Sequence, residues 1–245
     1  MNTLTLTSAA PSAPATAAPA RGGRALGVLL IVEGLLALAP LVVLGPAIGW
    51  PASLDAPAAQ QLAAIARQPD ALALGYGLYL LYSVLVAPVM IALAARFCGG
   101  LQHPLALTVA AFGALSALAR SIGILRWLTV MPELATVHAA ADPAARAQIE
   151  RLFDALNSYG GGIGEVLGVS LFMALSLGLL CIGALRNGAL PRWLAAGGLV
   201  SALSLAALML PNLRIDLPMP VAAAVTLLSL WMWCTGGWLL RRPQG

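Results

Sequence analysis

Six long apolar stretches between Ala25 and Leu240 constrain the fold of this 245-residue chain more than any other feature. They cover about 25–48, 71–95, 105–131, 159–185, 193–210 and 219–240. A helix crosses a bilayer with about 20 apolar residues, so each stretch is long enough to span one. The sequence therefore predicts an all-α fold, a polytopic bundle of six transmembrane helices.

Composition supports a membrane protein and excludes an ordinary soluble domain. Hydrophobic residues make up 60% of the chain and charged residues 9%, with a mean hydropathy of +0.91. About a quarter of the residues are charged in a typical soluble domain. The net charge of +4 is small and lies near the ends of the stretches, so we predict the lipid bilayer as a partner and no nucleic acid.

Two polar segments flank or interrupt the apolar stretches. Residues 1–23 are rich in Ala, Pro, Ser and Thr and predict a disordered cytoplasmic tail before a transmembrane domain over 24–242. In the longest polar segment, Asp142 and Pro143 predict the start of a helix over 143–157. An apolar stripe follows at Ile149, Leu152, Phe153 and Leu156. This spacing predicts a short extracytoplasmic amphipathic helix that lies on the membrane surface. Glycines from Gly160 to Gly164 then permit a bend or a close approach of two backbones.

The distribution of arginine predicts the orientation. One side of the membrane would hold Arg21, Arg24, Arg96, Arg186, Arg192, Arg241 and Arg242. The opposite side would hold Arg67, Arg146, Arg151 and Arg214. Because basic residues are more frequent on the cytoplasmic side, seven arginines against four predict that both termini are cytoplasmic.

Four charged side chains lie deep inside the apolar stretches: Glu33, Arg120, Arg126 and Glu165. A charge in hydrocarbon costs several kcal/mol, so such residues face a partner or a wet cavity. Arg126 and Glu165 lie at similar depths on consecutive spans, which predicts an ion pair between them. Arg120 and Glu33 lie near the midplane, so Arg120 is expected to pair with Glu33 or with the phenol oxygens of Tyr79 and Tyr82.

Two interpretations of these residues remain open. In the first, they line an outward-facing polar cavity, where guanidinium groups bind a carboxylate or a phosphate. The candidate ligand-binding residues are Arg120, Arg126, Glu165, Tyr76, Tyr79 and Glu33, with Asn157 and Tyr159 as further lining residues. In the second, an internal network of ion pairs fixes which helices are neighbours, and no ligand binds.

The sequence points to no cofactor and no metal site. His138 with Glu133 and Asp142 provides a single histidine, which is too few for a metal-binding pattern. No predicted span carries histidine, so haem ligation between two histidines is excluded. The common hydrolase and nucleotide-binding motifs are missing from the sequence, and no catalytic residue is assigned.

Several short motifs resemble one family. The chain contains R-x-x-x-x-x-R-W-x-x-x-x-P-x-L-A from Arg120, then F-D-A-L-N-x-Y-G-G-G-I-G-E-x-L-G from Phe153 to Gly168, and L-P-R-W-L from Leu190. Over about 22–240 it is similar to the bacterial membrane-protein family catalogued as domain of unknown function 4386. The resemblance implies a bacterial inner (plasma) membrane protein of about six helices. It marks Arg120, Arg126, Glu165 and Gly168 as parts of the family pattern and implies no activity.

The favoured function is therefore that of a non-enzymatic protein that binds or passes a small anionic or amphiphilic molecule. One alternative is an intramembrane enzyme that acts on a lipid or a quinone, with Glu165 as a proton carrier. Another is a structural or regulatory partner of a second membrane protein. An enzyme should hold Glu165 unpaired in an open cleft, whereas a structural protein should hold it against Arg126. The sequence does not specify an oligomeric state.

Overall fold

The computed structural model describes residues 21–215 and 219–242, and within them the chain forms helices and no strand. The all-α prediction is confirmed. The α-helices are α1 (Arg21–Leu36), α2 (Ala39–Ile48), α3 (Ala58–Arg67), α4 (Pro69–Phe97), α5 (Pro104–Leu128), α6 (Val130–Ala140), α7 (Pro143–Gly161), α8 (Met173–Arg186), α9 (Arg192–Ala207) and α10 (Val221–Arg241). A π-helix, the π segment (Gly162–Phe172), joins α7 to α8. Most of the predicted tail lies outside the described residues.

The chain has the helices of a multi-pass membrane protein. Five helical segments among the described residues are long and apolar enough to cross a bilayer. They are Gly23–Ile48, Pro69–Phe97, Pro104–Ala140, Pro143–Arg186 and Val221–Arg241. The predicted count of six spans also requires α9, which has 16 residues and is about 24 Å long.

The fourth long segment corrects the predicted surface helix. The chain runs from α7 through the π segment into α8 as one helical segment of 44 residues, about 66 Å long. This length is about twice that of the hydrocarbon core of a bilayer. We predicted a separate helix on the membrane surface, followed by glycines that permit either a bend or a close approach of two backbones. Instead, the amphipathic residues form the first part of one continuous helical segment.

The predicted apolar stripe on α7 does pack against the protein. Phe153 is completely buried, and Ile149 and Leu156 pack against the same group of core residues. Leu152 is exposed. On the opposite face, Arg146 and Arg151 are exposed, as the amphipathic pattern predicted.

Helices α3, α6 and α7 contact one another and form what we call the cap. Its core contains Leu62 and Ile65 from α3, Met131 from α6 and Phe153 from α7. This packing places the segment that joins α2 to α4 and the segment that joins α5 to the π segment at the same end of the bundle.

Glycines allow the π segment and α5 to approach closely. A Cβ atom at Gly123 would lie 2.7 Å from the Cα of Gly164, and one at Gly168 would lie 2.6 Å from the Cγ of Arg120. The hydroxyl of Ser116 also donates a hydrogen bond of 2.7 Å to the carbonyl of Gly168. Small residues at such contacts let membrane helices pack backbone to backbone. The predicted close approach is confirmed, and it positions Arg120.

Candidate functional site

Arg120 is buried inside the bundle with part of its guanidinium unpaired. Only 3% of the residue is exposed, and neither Nε nor Nη1 has a hydrogen-bond partner. Its Cζ lies 4.5 Å from the centroid of the Tyr82 ring, which is a cation–π distance. An aromatic face stabilises the charge but does not accept the hydrogen bonds of these N–H groups.

A row of aromatic rings connects Arg120 with the end of the bundle that carries the cap. The Tyr82 ring stacks on Tyr79 with centroids 6.1 Å apart, and Tyr79 meets Trp50 edge-on at 6.2 Å. Trp50 lies in the turn after α2 and is partly exposed. Tyr76, one turn before Tyr79 on α4, instead stacks on Trp127 at 4.9 Å. Tyr76 and Tyr79, both predicted to line a cavity, thus belong to two separate aromatic clusters.

Glu33 is the second deeply buried charge. It lies on α1 with none of its surface exposed, and neither carboxyl oxygen has a hydrogen-bond partner. The charges of Glu33 and Arg120 act on each other, but the two side chains are not in ion-pair contact. Of the partners expected for Arg120, Glu33 is therefore not in direct contact with it, and Tyr82 contacts it through the ring face and not through the phenol oxygen.

Arg126 contacts a different residue from the one predicted. Its Nε and Nη2 donate to Oδ1 of Asn157 at 3.3 Å and 3.1 Å, and Nη1 donates to the carbonyl of Gly123. It makes no ion-pair contact with Glu165, so the predicted pair is wrong. Gly160 leaves the space that the Arg126 side chain occupies. Asn157 reaches Arg126 because α7 packs along α5.

Glu165 lies on the π segment and is exposed. It makes no ion-pair contact within the described part of the chain. It is thus exposed and without an ion-pair partner, which meets one of the two conditions that we expected of an enzyme. Tyr159, which we predicted to line a cavity, is 72% exposed and does not line the interior.

Further buried polar atoms lack hydrogen-bond partners within the described part of the chain. They are the hydroxyls of Tyr76, Tyr82, Ser83, Ser229 and Thr235. A buried polar group without a partner costs about 1–3 kcal/mol. The interior therefore offers hydrogen-bonding groups beyond those used to hold the helices together.

His138 lies at a contact between α6 and α7. Its Nε2 contacts Oε1 of Glu150 at 2.9 Å, between α6 and α7. The guanidinium of Arg146 donates to the carbonyls of His138 and Ala139. These contacts connect α6 with α7 within the cap. Across 21–215 and 219–242, no group of three His, Cys, Asp or Glu residues is arranged to hold a metal ion.

The family described as domain of unknown function (DUF4386) matches residues 25–242, which include every residue of this site. The chain belongs to this family. No curated protein and no solved structure matches the chain. The predicted membership in DUF4386 is confirmed, and the family assigns no activity to these residues.

Sequence reasoning missed two contributors to the site in this DUF4386 chain. Tyr82 was expected to contact Arg120, and it does so through its ring face. Trp50 and Trp127 complete the two aromatic clusters. Their positions beside a turn and a charged residue gave no indication of these contacts.

Proposed function

We propose that this protein is a six-span inner-membrane protein with cytoplasmic termini that binds a small anionic or amphiphilic molecule beside Arg120. The observation that carries the proposal is that Nε and Nη1 of Arg120 lack hydrogen-bond partners while only 3% of the residue is exposed. A guanidinium with unpaired N–H groups is costly in a hydrophobic interior. A carboxylate, phosphate or sulfonate group supplies charged oxygen acceptors for such N–H groups.

The surroundings of Arg120 favour a ligand with an apolar part. The rings of Tyr82, Tyr79 and Trp50 form a continuous aromatic row from Arg120 towards the cap. Apolar walls with a few polar groups that fix orientation are typical of small-molecule sites. An acidic head at Arg120 and an apolar tail along the row would satisfy both parts.

A binding measurement in mild detergent tests this proposal. Hexanesulfonate is a suitable probe because it stays anionic and carries a short apolar tail, and hexanol is its neutral control. We expect hexanesulfonate to bind and to raise the melting temperature, and Arg120→Leu to abolish both effects. Arg120→Lys, which keeps the charge but loses the planar edge, should weaken binding at least tenfold.

Arg151→Leu provides the matched control, since Arg151 is exposed on α7. It should bind the probe as the unaltered protein does. Equal binding by the unaltered protein and Arg120→Leu would contradict the proposal. Mass spectrometry of lipid extracts from the purified protein would then distinguish a stoichiometric anionic lipid from a smaller soluble anion.

The exposure of Glu165 supports a second candidate function. An unpaired carboxyl group in an apolar surrounding can carry a proton, as an enzyme acting on a lipid or a quinone requires. Glu165→Gln should then abolish turnover of the molecule identified in the lipid extract while leaving hexanesulfonate binding unchanged. If the extracted molecule is never chemically altered by the protein, the enzyme function is excluded for that molecule.

A further inference from the structure

We propose that the end of the bundle opposite the cap holds a binding site for the headgroup phosphate of an anionic phospholipid. The site lies where α1 begins and where α4 and α10 end. It is separate from the site beside Arg120, which lies about 24 Å along α5 from this end. The inference rests on contacts between arginines and aromatic rings, and on the distribution of acidic residues along the sequence.

Two exposed arginines lie on an aromatic pair formed by Phe97 of α4 and Trp238 of α10. The centroids of the two rings are 6.3 Å apart. Cζ of Arg242 lies 4.0 Å from the centroid of the Trp238 ring. Cζ of Arg96 lies 6.0 Å from the centroid of the Phe97 ring. A guanidinium against a ring face keeps its charge and can still donate hydrogen bonds from its N–H groups. The aromatic pair thus positions two cations without neutralising either.

Glycines bring the start of α1 to the same place. A Cβ atom at Gly23 would lie 3.3 Å from Nη2 of Arg96, so this guanidinium packs against the beginning of α1. A Cβ atom at Gly27 would lie 3.1 Å from Cγ of Leu240, so the end of α10 packs there too. Arg24 lies between these two glycines and is exposed. Helices α1, α4 and α10 therefore each bring an exposed arginine to this end.

The chain supplies no acidic side chain to balance these charges. Residues 1–32, 71–132, 166–215 and 217–245 contain no Asp or Glu. These ranges include the start of α1, the turn between α4 and α5, the turn between α8 and α9, and the end of α10. Within 21–215 and 219–242, no arginine at this end forms an ion pair. An anion that neutralises the cluster must therefore come from outside the chain.

The position of the cluster favours a lipid phosphate over a soluble anion. The three helices belong to segments that are long and apolar enough to cross a bilayer, and the arginines lie at the ends of these segments. Tryptophan rings and basic residues are typical of the headgroup level of a membrane. On α10, Leu230 and Cys234 are exposed, and Gly237 and Arg241 follow at helical spacing. A Cβ atom at Gly237 would meet nothing within 4 Å, which leaves open space for an acyl chain beside Arg241.

Titration of the full chain with lipid in mild detergent, with bound lipids counted by native mass spectrometry, tests the inference. The probe is phosphatidylglycerol, which is anionic, and phosphatidylcholine is its zwitterionic control. We expect one phosphatidylglycerol per chain at concentrations where phosphatidylcholine does not bind. Arg96→Gln combined with Arg242→Gln should raise the dissociation constant about tenfold. Trp238→Leu keeps every charge but removes the ring beneath Arg242, and it should raise the dissociation constant about threefold.

Arg186→Gln combined with Arg192→Gln is the matched control. Both arginines are exposed at the same end of the bundle, at the turn between α8 and α9, and the double variant removes the same charge. It should leave the dissociation constant nearly unchanged. Equal weakening by the two double variants would overturn the site, because net charge alone would then explain the binding. Equal binding of the two lipids by the unaltered protein would overturn it as well.

Inorganic phosphate distinguishes a lipid from a soluble anion at this site. An excess of inorganic phosphate should not displace phosphatidylglycerol, because free phosphate has no acyl chain to place along α10. Displacement would overturn the assignment to a lipid. Arg120→Leu should bind phosphatidylglycerol as the unaltered protein does, so the result does not depend on the function proposed for Arg120. The lipid preference of the unaltered protein can refute the inference even if Trp238→Leu does not fold.

Discussion

Arg120 and Arg126 lie on one helix, yet their guanidinium groups have opposite surroundings. Arg126 donates to Asn157 and to the carbonyl of Gly123, so its charge is held by polar groups of the protein. Arg120 faces the Tyr82 ring and keeps unpaired N–H groups. A desolvated cation–π contact contributes about 2 kcal/mol but satisfies no N–H donor. This contrast is the basis for the binding role that we propose for Arg120, whereas Arg126 holds α5 to α7.

The structural role of Arg126 gives a prediction at this scale. Arg126→Leu and Asn157→Leu should each lower the free energy of unfolding in detergent by about 1–3 kcal/mol, because each leaves a polar group without its partner. The double variant should lose less than the sum of the two, with a coupling of about 0.5–3 kcal/mol. The measurement is reversible unfolding in mixed micelles, with all four chains of the cycle compared.

Glu165→Leu provides the control for this cycle. Because Glu165 makes no ion-pair contact with Arg126, the effects of Arg126→Leu and Glu165→Leu should be nearly additive. Strong coupling of Arg126 to Glu165, with none to Asn157, would contradict the contact with Asn157. It would support the Arg126–Glu165 ion pair that the sequence predicts.

Among the helical elements, the π segment is the least usual. It extends over 11 residues, whereas π-helical geometry mostly occurs as single turns, frequently at functional sites. It packs against α5 at Gly164 and Gly168, and the carbonyl of Gly168 accepts a hydrogen bond from the hydroxyl of Ser116. The π segment therefore forms the wall against which the Arg120 side chain is placed.

A matched pair of glycine substitutions tests this role. Gly168→Ala would place a Cβ atom 2.6 Å from Cγ of Arg120, so Arg120 or the helix must move. We expect a loss of about 1–3 kcal/mol in stability, typical of overpacking, together with weaker binding of hexanesulfonate. At Gly162, in the same segment, an added Cβ atom meets nothing within 4 Å, so Gly162→Ala should be nearly neutral.

The measurements are thermal unfolding and probe affinity of the two variants, side by side. Equal effects of Gly168→Ala and Gly162→Ala would mean that the substitutions act through helix geometry and not through contact with Arg120.

At the scale of the whole molecule, the two ends of the bundle differ in charge and in structure. The cap lies at the end that holds Arg67, Arg146 and Arg151. The turn between α4 and α5, the turn between α8 and α9 and the end of α10 lie at the other end, with most of the arginines. The excess of basic residues favours the cytoplasm for that other end. The cap would then face the periplasm.

Accessibility of single cysteines in intact cells tests this orientation. Cysteines at positions 55 and 145 should react with a membrane-impermeant reagent, because both positions lie at the end of the cap. Cysteines at positions 100 and 189 should react only after the membrane is opened. The native Cys98, Cys181 and Cys234 would first be replaced by alanine. Reaction of position 145 from the cytoplasmic side alone would reverse the orientation and the direction from which a ligand enters.

The sequence alone determined the helical class, the apolar segments, the family and the buried positions of Glu33 and Arg120. Apolar length specifies a membrane helix, and the helical period predicts which side chains share a face. The same period predicted that Phe153 packs inward while Arg146 and Arg151 stay exposed. These properties depend on residues close together in the chain, so they can be read from it directly.

Only the tertiary structure decided the contacts between helices. The estimated depths within the membrane spans put Arg126 level with Glu165. A depth does not specify how either helix is rotated about its own axis. The π segment has a longer turn than an α-helix, so side chains beyond Gly162 do not point where a period of 3.6 residues predicts. Glu165 therefore stays exposed, while Asn157, on the α-helical part before it, meets Arg126. The partner of each buried charge depends on how whole helices pack, and the pattern within one helix does not contain that information.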